Sequence, residues 1–234
     1  MCGRFSLISS EELIKRIFRL NHAPVQPRFN IAPTQDAAVV RIAVNSNERE
    51  LAQLRWGLIP PWSKDASIGV CMINAKSETV FEKPAFRQAA RSRRCLIPAD
   101  GFYEWKQSGG AKQAHYIYLK DKQPFAMAGL WEKWQSPDGA EVQSCTVLTT
   151  DANDLVGPIH HRMPVILPID QHDAWLDPAM QRQEILKQML RPYDAGKMAQ
   201  HQVGSIVNNA RNESLDCIKP SDNKKQKIEQ DLLF

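Results

Sequence analysis

Apolar residues recur along this chain in two rhythms. Near the start, Leu13, Ile14, Ile17 and Phe18 fall at the three-and-four spacing of one helical face. Ser9 stands ahead of them with Glu12 three residues on, a capping-box pattern, so a helix is predicted to begin there. The next segment, Ala23 to Pro33, is studded with proline and reads as a loop; it leads through Arg28-Phe29-Asn30-Ile31-Ala32-Pro33-Thr34. Beyond it the rhythm shortens. Ala38 to Val44, Leu51 to Trp56, Phe102 to Trp105, His115 to Lys120, Phe125 to Trp131 and Glu141 to Thr149 are rich in β-branched and aromatic residues and are bounded by turn formers, so each is predicted to be a strand. Ser77 to Arg93 reads as a helix interrupted at Pro84. A later helix is predicted to start at Asp177-Pro178, with Leu186, Met189 and Leu190 along one side.

Strand after strand with few helices between them favours an α+β fold over a doubly wound parallel sheet. The sheets are expected to be mostly antiparallel, with room to curl toward a barrel, and the helices peripheral. No repeat or linker divides the sequence. A single domain is therefore expected over residues 1–218, followed by a polar, flexible C-terminal tail at 219–234.

Composition changes this picture little. The 234 residues are 43% hydrophobic and 24% charged, ordinary for a globular protein. Thirty Lys and Arg against 26 Asp and Glu give a net charge of +4, which permits a polyanionic partner without requiring one. The five cysteines, Cys2, Cys71, Cys95, Cys145 and Cys217, form no CxxC pair and no short Cys/His cluster, which argues against a zinc ribbon. No metal or cofactor is expected. An odd cysteine count, the absence of a secretory start and the absence of a long apolar run point to the cytoplasm, at the nucleoid when needed, with no membrane partner. A monomer is expected.

The candidate chemistry begins at Cys2. Removal of Met1 would leave an α-amine and a thiol on adjacent carbons. An aldehyde condenses with such an amine to an imine, and the thiol then closes a five-membered thiazolidine, a reaction closed to an internal Cys or Lys. An α-amine has a pKa of about 7.7–8.0, so part of it is already nucleophilic near neutral pH.

Six blocks carry a resemblance. They are Met1-Cys2-Gly3-Arg4-Phe5, Phe29-Asn30-Ile31-Ala32-Pro33-Thr34, Arg55-Trp56-Gly57-Leu58-Ile59-Pro60 with Trp62, Ile73-Asn74-Ala75-Lys76-Ser77-Glu78-Thr79, the run from Arg94 through Pro98 to Trp105, and Ile159-His160-His161-Arg162-Met163-Pro164 with the apolar run to Leu167. In this order and over nearly the whole chain, they resemble the SOS response-associated peptidase (SRAP) family. The resemblance implies a single-domain α+β fold and covalent capture of abasic sites in single-stranded DNA by the N-terminal cysteine.

It also implies roles for Cys2, Asn74, Glu104 and His160. Glu104, flanked by Tyr103 and Trp105, would protonate the sugar ring oxygen to release the aldehyde. His160 would move protons, and Asn74 would hold the Cys2 backbone or the sugar. At position 161 the family's usual residue is Asp, where this chain has His. Arg4, Lys76 and Arg162 are candidates for phosphate contacts, and Trp56, Trp62, Trp105 and Pro33 for contacts to unpaired bases, although many of the tryptophans are expected to fill the core.

The same residues admit other readings. A thiol peptidase would pair Cys2 with His160. A lyase would nick the strand from the imine, and self-cleavage could remove Met1. A non-catalytic reader of modified DNA would bind reversibly and with salt sensitivity.

Overall fold

In the computed structural model, which describes residues 2–44 and 46–221, the short runs become strands and the helices stay short and peripheral. In chain order the first strands are β1 (Phe5–Leu7), β2 (Arg28–Ile31), β3 (Asp36–Ile42), β4 (Arg49–Trp56), β5 (Asn74–Lys76) and β6 (Arg94–Ala99). They are followed by β7 (Gly101–Ser108), β8 (Ala111–Leu119), β9 (Phe125–Gln135), β10 (Glu141–Asp151), β11 (Arg162–Pro164), β12 (Ile166–Leu167) and β13 (Met198–Gln202). The α-helices are α1 (Glu11–Phe18), α2 (Arg87–Ser92), α3 (His172–Leu176) and α4 (Gln183–Met189).

Two sheets form. The first has the order β13-β8-β7-β1-β2, antiparallel throughout. In the second, β10-β4-β3-β6-β9 pair in turn and β9 pairs back onto β10, closing a five-stranded barrel whose β4–β10 contact is parallel. Closure leaves these strands without a free edge and turns them around one core. Val39, Val40, Leu54, Leu96, Ile97, Met127 and Val147 lie within it, essentially without exposure. β6 is buried at every position, which explains why its sequence shows no alternation.

Only Asp100 separates β6 from β7, so the chain steps directly from barrel to first sheet. The Asp100 carboxylate fixes that step by accepting the N–H of Ile8 at 2.6 Å and of Ser9 at 2.9 Å, and the Ser9 hydroxyl as well. Gly57 makes another close approach, at the end of β4. It has φ +130°, and a Cβ there would fall 2.5 Å from the Gly69 carbonyl oxygen, so only glycine fits.

Four sequence expectations change. The cap of α1 is Ser10, whose hydroxyl accepts the Leu13 N–H, because Asp100 has claimed Ser9. Arg28 to Ile31 is no loop: between its flanking prolines it pairs with β1 as a strand. Of the predicted helix 77–93 only α2 forms. Residues 77–86 run as turns, with Thr79, Glu82 and Phe86 each donating to the carbonyl three residues back, and Pro84 supplies no N–H. Asp177 ends α3 instead of opening a helix, since the residue before a proline is driven toward extended backbone, and α4 starts at Gln183. Of the expected tail, residues 222–234 lie outside the described residues. No helix among the described residues is long and apolar enough to cross a membrane.

Candidate active site

The first sheet and one end of the barrel bring distant segments together. β1 runs antiparallel to β7 with Phe5 opposite Phe102, and Tyr103 N–H donates to the Arg4 carbonyl at 2.9 Å. Continuing that register backward sets Gly3 opposite Glu104, which leaves Cys2 one position further on and close enough for the Glu104 charge to act on its thiol. In the barrel, the C-terminal half of β10 is flanked by β5 on one side and β11 on the other, with Val147 opposite Asn74 and Asp151 opposite Arg162. Asn74 therefore enters from one side of β10 and His160, just ahead of β11, from the other. The Asn74 amide donates to the Cys2 carbonyl at 2.8 Å, and His160 Nδ1 lies 4.0 Å from Glu104 Oε1. Four side chains separated by up to most of the chain thus meet.

Burial sets their protonation. Glu104 is 3% exposed, and the loss of water raises its carboxyl to about 7. Burial, and then the nearby Glu104 charge, push the Cys2 thiol well above its ordinary value. Burial lowers His160, and the charges of His161 and Arg162 act in the same direction. His160 Nδ1 lies 3.0 Å from the Arg162 backbone nitrogen and 3.2 Å from the Arg162 carbonyl oxygen, so the Arg162 backbone holds this edge of the ring. The exposed His161 ring stacks on His160 with centroids 4.4 Å apart.

The other candidates divide. Lys76 is exposed at the end of β5, and Trp62 is 59% exposed on the turn after β4. Trp105 and Pro33 are partly exposed. Trp105 donates its indole N–H to Asn208 Oδ1 at 2.8 Å, and the Arg4 guanidinium lies 5.8 Å from its ring centroid. Arg4 itself donates to Asn30 Oδ1 at 2.7 Å and to the Val207 carbonyl at 2.8 Å, so its orientation is set by the segment after β13.

Two candidates have to be reread. Trp56 is fully buried, edge-on to Phe5 at 5.1 Å, and donates to the Ile73 carbonyl; it is a core residue with no face to offer a base. Arg162 is 6% exposed and gives both ends of its fork to Glu78 at 2.7 and 2.9 Å, with further bonds to Asp151 and the Thr149 carbonyl. It braces β11 and the turn after β5 in place of standing open to phosphate. Glu78 and Asn30, its counterpart beside Arg4, stand in the quoted sequence blocks, but nothing local marked them as partners for the buried Arg162 and the half-buried Arg4.

The model of the family described as SOS response associated peptidase (SRAP) matches residues 1–210. The chain belongs to the SRAP family. The Bacillus subtilis (strain 168) protein named abasic site processing protein YoqW is 44% identical over 94% of this chain and 99% of its own length. Abasic site processing protein HMCES of Gallus gallus is 33% identical over 86% of this chain and 68% of its own length. Among solved structures, that of a protein from Bacteroides thetaiotaomicron superposes with a TM-score of 0.80 at 28% identity, covering 94% of this chain and all of that one.

In this SRAP chain the cluster offers a proton donor at neutral pH in Glu104, a neutral imidazole in His160, and a cysteine carbonyl anchored by Asn74. The Asn74 Oδ1 is buried without a hydrogen-bond partner among the described residues, an acceptor that a substrate hydroxyl or amine would satisfy. Among those residues no group of three or more His, Cys, Asp or Glu could hold a metal ion.

Proposed function

We propose that this chain processes abasic sites in single-stranded DNA, capturing them covalently through Cys2 once Met1 has been removed. The observation that carries the reading is the burial of Glu104 beside Cys2, which keeps a carboxylic acid protonated near neutral pH next to a residue whose α-amine Met1 removal would free. The names of YoqW and HMCES support the lesion as substrate.

An abasic deoxyribose rests mostly as a closed hemiacetal. Glu104 gives its proton to the ring oxygen as the C1′–O4′ bond breaks, and the C1′ hydroxyl loses its proton to leave the aldehyde. The Cys2 amine adds to that aldehyde and water departs, leaving an imine. The thiol then adds to the imine carbon, its proton passing to the Glu104 carboxylate while the nitrogen takes up the proton that the C1′ hydroxyl lost, relayed by His160, and the thiazolidine closes. Asn74 holds the Cys2 carbonyl so that amine and thiol face the same carbon, and His160 relays protons at the cleft. Lys76, Arg4 and the faces of Trp62 and Trp105, with Pro33, form the path for the unpaired strand.

Without the thiol the imine is left open to β-elimination, a latent lyase activity. Autocatalytic loss of Met1 would use the same groups. A thiol peptidase acting on other substrates is disfavoured, because such an enzyme needs an accessible thiolate and burial with a neighbouring carboxylate opposes one here.

The test is intact mass after incubation with a single-stranded oligonucleotide bearing one abasic site. A gain of the oligonucleotide mass less one water, lost in Cys2→Ala and in protein that retains Met1, is the expected result. Reversible binding with no adduct overturns the reading in favour of a non-covalent reader.

A further inference from the structure

Beyond β13, residues 205–213 join neither sheet; they run through one 3-10 turn at Ser205–Asn208 and the bends that follow it. Val207 packs them onto the face of the first sheet that carries Tyr103 and Tyr116. Apolar contact of this kind holds a segment down without giving it a direction.

Direction comes from Asn30, fully buried in β2. Its amide nitrogen lies 3.2, 3.1 and 3.0 Å from the carbonyl oxygens of Val207, Asn209 and Asn212, so its two N–H bonds are shared among three acceptors. Its Oδ1 accepts from Arg4 Nη1 at 2.7 Å. A carbonyl can only accept and a guanidinium can only donate, so one orientation of the amide satisfies all four partners. Glu213 fixes the far end of the segment to the same strand. Its carboxylate accepts the N–H of Phe29 at 2.8 Å and of Asn30 at 3.2 Å, and pairs with Arg28.

The latched segment in turn grips two members of the DNA path. The Val207 carbonyl accepts a second bond from Arg4 Nη1 at 2.8 Å, and Asn208 Oδ1 accepts the Trp105 indole N–H at 2.8 Å. Both bonds of Arg4 use Nη1; Nη2 makes no hydrogen bond among the described residues and is the group left for a phosphate.

We infer that Asn30 is a positioning residue for DNA binding: by latching residues 205–213 to β2 it sets the directions in which Arg4 and Trp105 meet the unpaired strand. The inference rests on the reading of those two residues as part of the DNA path. Without the Asn30 side chain the three carbonyls lose a shared donor, and Arg4 keeps only Val207, which the same change sets loose.

The test is binding of an undamaged single-stranded oligonucleotide, which needs no reaction at Cys2, followed by fluorescence anisotropy over a range of salt concentrations. Asn30→Ala should bind about tenfold more weakly than the parent. The slope of log affinity against log salt should become shallower by about 0.7, the value of one phosphate contact on a single strand. A loss of stability alone would not move that slope. Asn208→Ala, at an exposed position, should weaken binding by about threefold with the slope unchanged, and should add nothing in the Trp105→Ala background. Equal affinity or an unchanged slope in folded Asn30→Ala overturns the inference. So does a full additional loss from Asn208→Ala in the Trp105→Ala background, a result that does not depend on Asn30→Ala folding. Failure of the parent to bind the oligonucleotide overturns the DNA-path reading as well, so the two failures are told apart.

Discussion

Changing Glu104 to Gln removes a buried carboxyl while keeping its shape, and the consequence can be worked from its surroundings. Burial raises this acid from 4.5 to about 7. Each pKa unit corresponds to 1.36 kcal/mol, so ionising Glu104 inside the folded protein costs about 3 kcal/mol more than in the unfolded chain. The sign follows from proton counts. Between pH 4.5 and about 7 the folded protein keeps a proton that the unfolded chain has lost. Stability of the unaltered protein therefore falls as pH rises through that window and levels off above it. Gln has no proton to lose. The stability of Glu104→Gln relative to the parent should thus grow by about 3 kcal/mol between about pH 4 and about pH 8. Urea denaturation of both proteins across this range measures the difference.

The same change should slow adduct formation by about 10²–10⁴-fold, the usual worth of a positioned general acid. In the parent, the rate should rise as the α-amine deprotonates at about 7.7–8.0 and fall as Glu104 loses its proton at about 7, giving a bell. Glu104→Gln should keep the rising limb only. Parallel stability curves for the two proteins, or an unchanged bell in the variant, would refute the assignment of Glu104 as a buried acid.

Three further outcomes are expected. Cys2→Ser, which retains the amine on Met1 removal, should give little stable adduct and more strand cleavage on an abasic oligonucleotide run in a denaturing gel; a stable adduct of undiminished yield would contradict thiol closure. Trp62→Ala should leave the melting temperature nearly unchanged while weakening single-strand binding by about 1–3 kcal/mol, whereas Trp56→Phe, which empties part of the core and removes one of the two hydrogen bonds to the Ile73 carbonyl, should lower stability by about 1–3 kcal/mol. Arg162→Met, losing its bonds to Glu78, Asp151 and Thr149, should cost about 2–3 kcal/mol, a fall of about 5–10 °C in melting temperature. It should leave the salt dependence of DNA binding unaltered, while a flatter dependence would return Arg162 to the phosphate path.

The local pattern determined much of this protein. All six strand-like runs became strands, since alternation of β-branched and aromatic residues between turn formers is a property each segment carries within itself. The apolar face of α1 was legible for the same reason, and its cap was not: Ser9 and Ser10 are equivalent until Asp100 arrives from the far side of the chain to take one of them. β5, β11 and β12 are too short for any periodicity, yet they decide where Asn74 and His160 stand.

The site divides in the same way. Residue type and position made Cys2 a candidate, but any chain can begin Met-Cys, and only the resemblance of the six blocks singled it out. Residue type and position did not mark Glu104, because alternation places a carboxyl on one face of β7 without saying whether that face meets water or the barrel; only the packing of the two sheets buries it and makes it an acid at neutral pH. Trp56 and Trp62 stand six residues apart and are chemically alike, and barrel closure puts one wholly inside and leaves the other outside. Arg162 reads as an open cation until its partner, Glu78, arrives from 84 residues away. Secondary structure depends on neighbours in the chain, so the sequence displays it directly. Burial, proton affinity and ion pairing depend on neighbours in space, and only the closed tertiary structure brings those neighbours together.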